Sequence, residues 1–274
     1  MDRPAPNPLE LNRRNWDDRA RIHGQDRLYD SQALIAGATS LTEVELEALG
    51  WAVGDVSGLE VIHLQCHIGF DSISLARMGA VVTGLDFSPV ALAKAADLAR
   101  RCAVRLDLVQ SEVCDPPARL HQRFDLAYAT IGVLCWIEDV GAWMRAAFKL
   151  LRPGGRLVLV EMHPLQAMID TVDPLVLDFP YNFDGPHVFD SPGSYTDRNA
   201  PIDSTVTVEY SHGLGEVVSA AIDAGFEIRR LAERTDSPCD HRGDLGPADP
   251  DGRHRLRLGG GLVPLLYTLV AQRP

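Results

Sequence analysis

From about residue 59 to 160 the chain alternates short apolar runs with stretches of helical spacing. Residues 59–66 (LEVIHLQC) form an apolar run of buried-strand type, and residues 70–79 are amphipathic and stop at a glycine. A second strand is predicted over 80–87. The helix after it, 88–102, opens with Ser88 as cap and Pro89 at the first helical position. Residues 104–112 and 123–134 read as further strands. A helix over 138–155 is stopped by Pro153 and the following glycines, and 156–163 is a fifth strand. This β-α-β-α-β-β-α-β order predicts an α/β fold, a parallel sheet with helices on both faces.

The flanks follow other rhythms. A Pro-rich opening precedes a helix that begins near Leu9 or Asn12, and residues 1–58 read as an N-terminal helical cap on a domain spanning 59–274. Residues 164–204 lack periodicity, which predicts a functional insertion or a mobile lid. Its aromatic residues (Phe179, Tyr181, Phe183, Phe189 and Tyr195) suit a cover over an apolar or aromatic small molecule. Beyond it a strand is predicted over 204–211, a helix over 213–226, a strand over 226–234, a surface loop over 235–254 and a closing strand over 261–274.

Charge narrows the classes of partner. The 274 residues carry 26 Lys and Arg against 38 Asp and Glu, a formal net charge of −12. Phosphate recognition rests on clustered cations, so neither nucleic acid nor an acidic membrane surface is expected as a partner. No apolar run reaches the ~18–20 residues of a membrane span, and the polar first residues lack the apolar core of a signal peptide. The expectation is a cytoplasmic protein, compatible with a homodimer. Five cysteines without CxxC spacing read as reduced thiols. No metal site is expected, because His63, Cys66 and His67 fall short of four ligands.

Ligands of open parallel sheets sit at the carboxyl ends of the strands. Asp86 ends the second strand about twenty residues after the first turn, where a carboxylate can accept hydrogen bonds from both hydroxyls of an adenosine ribose. Glu112, with Val113 beside it, ends the third strand and would border an adenine ring. Together these strand ends describe a nucleoside pocket.

The run LLRPGGRLVLVE (150–161), with the spacing of the strand ends, resembles the class I S-adenosylmethionine-dependent methyltransferases. The resemblance covers 60–163 and extends to the closing GFEIRRLAER and LYTLVAQRP pair. It implies a seven-stranded, mostly parallel sheet with an antiparallel final strand and an inserted lid. It also implies S-adenosylmethionine as cofactor: Asp86 and Phe87 at the ribose, Glu112 and the Val113 backbone at the adenine, Thr130 and Ile131 near the methionine end. Gln65, Cys66 and Gly69 fall in the first turn, which departs from the family pattern. One of three glycines remains, His63 replaces the usual acid, and Gln65 and His67 carry Cβ atoms where backbone would approach the ligand. In this fold a leading helix commonly closes over the cosubstrate, which brings in Trp16 and Tyr29. HLQCHIG, GSY (193–195) and HGLGE (212–216) resemble a bacterial subset of small-molecule methyltransferases, some of secondary metabolism.

The implied activity is methyl transfer to a small, aromatic or heteroaromatic acceptor, at O, N or carbon, an indole-type carbon included. Where the acceptor must lose a proton, His163 directly after strand five is the candidate base, with His212 less well placed and Tyr195 to orient the acceptor. His163 reads equally as a helix-start residue, His63 and His67 as packing or capping groups, and Trp136 as core more often than as a substrate platform. Two other readings remain open: an NAD-dependent oxidoreductase, which also uses a carboxylate after strand two, and a non-catalytic S-adenosylmethionine-binding protein.

Overall fold

Seven of the apolar runs become one sheet. The computed structural model describes residues 7–26, 28–181, 185–243 and 245–274. In chain order these form α1 (Pro8–Ile22), α2 (Ser31–Ile35), α3 (Glu43–Ala52), β1 (Glu60–Leu64), α4 (Phe70–Arg77), β2 (Val81–Asp86), α5 (Pro89–Arg101), β3 (Asp107–Gln110) and β4 (Phe124–Thr130). Then come α6 (Val140–Leu150), β5 (Leu151–Met162), α7 (Pro164–Ala167), β6 (Ile169–Val172), β7 (Leu175–Leu177), β8 (His187–Asp190) and β9 (Val206–Glu209). The chain closes with α8 (Leu214–Asp223), β10 (Glu227–Arg234), β11 (Arg257–Leu258), β12 (Gly261–Leu262) and β13 (Leu266–Gln272). The sheet order is β10-β13-β5-β4-β1-β2-β3. Strands β1 to β5 pair in parallel, and β13 runs antiparallel between β5 and β10.

Side-chain alternation divides the core between the two faces of the sheet. Ala127, Ala129, Leu157 and Leu159 join a cluster with Trp143 and Met144 of α6 and Val217 of α8. Their neighbours Leu126, Tyr128, Val158 and Val160 join Val44, Ala48 and Leu49 of α3 on the other face. A third cluster ties Ala20 of α1 to Ile73 of α4 and Ala91 and Leu98 of α5.

Several boundaries differ from the sequence expectation. The helix predicted over 138–155 ends at Leu150, and Leu151 is already extended at φ −75°, ψ 145°. Pro-Gly-Gly is thus an irregular start to β5, where the pairing shifts between Phe124 and Leu126. A Cβ on Gly155 would come within 2.9 Å of the Arg152 carbonyl oxygen, so this close passage requires glycine. The strand predicted over 123–134 stops at Thr130, and a 3-10 turn follows at Leu134–Trp136. The stretch 164–204 is ordered more than its pattern predicts. It holds the β6–β7 hairpin and β8, and β8 pairs with β9 away from the main sheet. Phe183 and the first six residues lie outside the described residues. Among the described residues no helix is long and apolar enough to cross a membrane.

Candidate active site

Because β1 to β4 are parallel, their carboxyl ends open on one edge of the sheet. There a pocket with a cavity volume of about 100 Å³ is lined by Gln65 and His67 after β1, Asp86 and Phe87 after β2, Ser111, Glu112 and Val113 after β3, and residues 130–133 after β4. Leu9 and Trp16 of α1, Tyr29, Trp136 and Tyr195 complete its walls.

The first turn owes its shape to three left-handed residues in five. Gln65, His67 and Gly69 have φ of 55°, 50° and 77°. A Cβ on Gly69 would meet the Ala95 Cβ at 2.8 Å, so glycine lets the turn rest on α5. The two non-glycine residues are held by their side chains. The Gln65 amide donates to the Val133 carbonyl (3.0 Å) and its oxygen accepts from the Trp143 indole (2.9 Å), which ties β1, the turn after β4 and α6 together. His67 Nε2 lies 2.8 Å from His23 Nδ1, and His23 Nε2 lies 2.6 Å from Ser194 Oγ. His67 Nδ1 is buried without a partner in a ring that lines the pocket. Burial, then the charges of His23, Arg19 and Lys94, hold His67 well below the ordinary imidazole range, so it is neutral and a weak base.

Asp86 accepts from the backbone N–H of His67 and of Ser88, each at 2.8 Å. Burial raises its carboxyl to about 6, against the lowering effect of these bonds. Ser88 caps α5 and donates to Asp17, which fixes α1 against the same corner. Glu112 accepts from the Cys114 N–H, and Val113 is buried beside it.

The turn after β4 is organised by a carboxylate from β5. Buried Glu161 accepts from the backbone N–H of Gly132, of Val133 (2.8 Å) and of Leu134 (3.0 Å), and from its neighbour Met162. Its pKa is raised by burial and pulled back by these four donors. Trp136, fixed by donation from its indole to the Gly132 carbonyl, faces the pocket rather than the core. Trp16 meets its ring edge-on at 5.3 Å and that of His67 at 4.9 Å. The Tyr29 and Tyr195 hydroxyls lie 2.8 Å apart.

The expected residues thus divide into two groups. Trp16, Tyr29, Gln65, Asp86, Phe87, Glu112, Val113, Thr130, Ile131 and Tyr195 meet at the pocket. Cys66 and Gly69 shape its floor without lining it: the Cys66 thiol is buried beneath Gly84, and Gly69 faces α5. His163 lies apart from the pocket. It accepts from the Leu165 N–H at the start of α7, and its Nε2 is 2.9 Å from Glu233, so the helix-start reading describes its place. His212 is likewise held elsewhere, between the Ile137 carbonyl and Glu216. Of the insertion's described aromatics only Tyr195 reaches the pocket; Phe179 and Phe189 pack against each other and His187. His67, Trp136 and Glu161 were not singled out as site residues by the sequence. A carboxylate inside an apolar strand was the available signal for Glu161.

Residues 62–157 match the family described as "Methyltransferase domain". A ubiquinone biosynthesis O-methyltransferase of Xanthomonas oryzae pv. oryzae is 34% identical over 109 residues, 40% of this chain and 45% of the relative. The chain therefore spans less than half the length of the curated relatives it matches first. Among solved structures, an S-adenosylmethionine-dependent methyltransferase from Mesorhizobium loti aligns with a TM-score of 0.58 at 23% identity, covering 87% of this chain and 100% of the other. Magnesium protoporphyrin IX methyltransferase from Synechocystis PCC 6803, with bound S-adenosylhomocysteine, aligns at 0.55 with 17% identity, covering 98% and 100%. Residues 62–157 thus carry a methyltransferase-domain match, and the chain shares its fold with S-adenosylmethionine-dependent methyltransferases.

Proposed function

We propose that this chain transfers a methyl group from S-adenosylmethionine to a small aromatic or heteroaromatic acceptor. The observation that carries the reading is one pocket lined both by the strand-end carboxylates Asp86 and Glu112 and by the aromatic walls Trp16, Trp136 and Tyr195. The donor set fits the cosubstrate. Asp86 would accept from the ribose hydroxyls, Glu112 and the Val113 backbone would flank the adenine, and the 65–69 turn and residues 130–132 would border the methionine end. When bound, S-adenosylmethionine supplies an electrophilic methyl group.

The chain contributes holding and dryness. Rings that fix an acceptor in line with the reacting bond could supply up to ~7–11 kcal/mol through proximity and orientation. Where the acceptor must lose a proton, His67 is the pocket-lining imidazole that would accept it at Nδ1, with Nε2 staying hydrogen-bonded to His23. An amine or an electron-rich carbon needs no such step before the methyl arrives.

The test is calorimetry with S-adenosylhomocysteine and with NAD, followed by a methyl-transfer assay over phenols, indoles and aromatic amines. Saturable S-adenosylhomocysteine binding and turnover on one class is the expected result. Tight NAD binding without S-adenosylhomocysteine heat would establish the oxidoreductase reading instead. Binding without turnover on any acceptor would favour a non-catalytic binder.

A further inference from the structure

Arg19 is a cation whose position in the fold is otherwise unexplained. It sits on α1 one turn after Trp16 and is 7% exposed. Its guanidinium carbon lies 5.1 Å from the Trp16 ring centre, 5.4 Å from Trp136 and 5.5 Å from Tyr195, all three walls of the pocket. The other arginines of α1 each hold a carboxylate: Arg13 pairs with Glu10 and Asp17, Arg14 with Glu10, and Arg21 with Asp18. Arg19 makes no ion pair or side-chain hydrogen bond among the described residues, and its Nε is buried without a partner. Burial lowers its pKa, and the carboxylate that compensates it most, Glu209 of β9, acts on it only through space while accepting from Thr207. Stacking on three rings holds the guanidinium in place and leaves its donors unused. An unpaired buried charge is costly, and a planar carboxylate is the group that satisfies a guanidinium best.

We propose that the acceptor carries a carboxylate and that Arg19 binds it. The inference rests on the methyl-transfer reading above and narrows its substrate class to aromatic acids. The residues involved favour the acceptor over the amino-acid end of the cosubstrate. Trp16, Arg19, Tyr195 and Glu209 lie outside the matched domain of residues 62–157, in elements added around it.

The experiment uses the full chain saturated with S-adenosylhomocysteine. Benzoate and indole-3-carboxylate are titrated calorimetrically beside their carboxamides, into wild type, Arg19→Met and Arg19→Lys. At least one acid should bind about tenfold or more tightly than its amide, as expected for a charge-assisted pair. Arg19→Met should abolish that preference and Arg19→Lys should keep part of it. Affinity for S-adenosylhomocysteine should stay unchanged. Loss of the acid preference with unchanged affinity for S-adenosylhomocysteine in Arg19→Met separates a binding role from a structural one. The proposal is overturned if no acid outbinds its amide in wild type or if the preference survives Arg19→Met. It is also overturned if Arg19→Met weakens S-adenosylhomocysteine instead, which would assign the charge to the cosubstrate. Failure of the wild type to bind S-adenosylhomocysteine at all would instead remove the methyl-transfer reading. The acid and amide titrations into the unliganded protein then decide Arg19 separately.

Discussion

Asp86 shows how one residue's surroundings set a pH dependence. Its carboxyl titrates near 6 in the fold, against 3.8 for the free side chain, because burial penalises the charge. The folded state therefore favours the protonated form. Keeping Asp86 ionised costs stability, a cost that develops as pH rises from about 4 through 6 and is constant above. In the proposed complex Asp86 accepts from the ribose hydroxyls, which favours the ionised form, so cosubstrate binding would have the opposite preference. At pH 5 about one tenth of Asp86 is ionised, and S-adenosylhomocysteine should bind about tenfold more weakly than at pH 7.5. Asp86→Asn should bind weakly at both and lose the slope. A flat wild-type profile between pH 5 and 8 would count against Asp86 as the ribose ligand. This residue was legible in the sequence because a parallel strand delivers its last side chain to a known edge. His67 was not, since its standing depends on His23 from the end of α1 and on Ser194, a contact between residues 171 apart.

At the scale of elements, the sequence resolved what periodicity controls and missed what tertiary contacts decide. The five parallel strands and the helices between them follow from apolar spacing. The turn after β4 does not: 123–134 reads as one apolar run, yet the strand stops at Thr130 because Glu161 gathers the amides of Gly132, Val133 and Leu134 into a tight turn. A strand was legible over 204–211, but its pairing with β8 was not, since β9 is also held by the Asn12 side chain of α1. Glu161→Ala should be among the most damaging single changes. It leaves two buried and two partly buried N–H groups without an acceptor, and at ~1–3 kcal/mol for each buried one, partly relieved by relaxation, a loss of about 3 kcal/mol is expected. Hydrogen exchange at residues 132–134 should quicken far more than in β1 or β2. Glu161→Gln, which keeps an acceptor but replaces the other with a donor, should fall between. Wild-type stability for the alanine variant would show that the turn stands without its carboxylate.

For the molecule as a whole, the pocket is closed by two segments distant in sequence that act as one cover. The Asn12 side chain of α1 pairs with Val208 of β9 in both directions, donating to its carbonyl (2.7 Å) and accepting from its N–H (2.8 Å). Asn15 donates to the Ser204 carbonyl, and Asp18 accepts from the amides of Asp203 and Ser204. A strand pairing with a helix through buried amide and carboxylate side chains makes the N-terminal helix and the insertion move together or not at all. On its other side α1 reaches the sheet through Ser88 and Asp17. Ligand binding should therefore stiffen both partners. S-adenosylhomocysteine should slow amide exchange in α1 and in 206–209 together, although 206–209 does not line the pocket. Asn12→Leu removes both bonds and leaves the Val208 amide and carbonyl buried and unpaired, which costs about 2 kcal/mol or more. In that variant ligand should still protect β1 and β2, while protection of 206–209 is lost and proteolysis within α1 quickens. Were exchange in 206–209 to respond to ligand equally with and without Asn12, the coupling would run through another contact and the two segments would be separate covers.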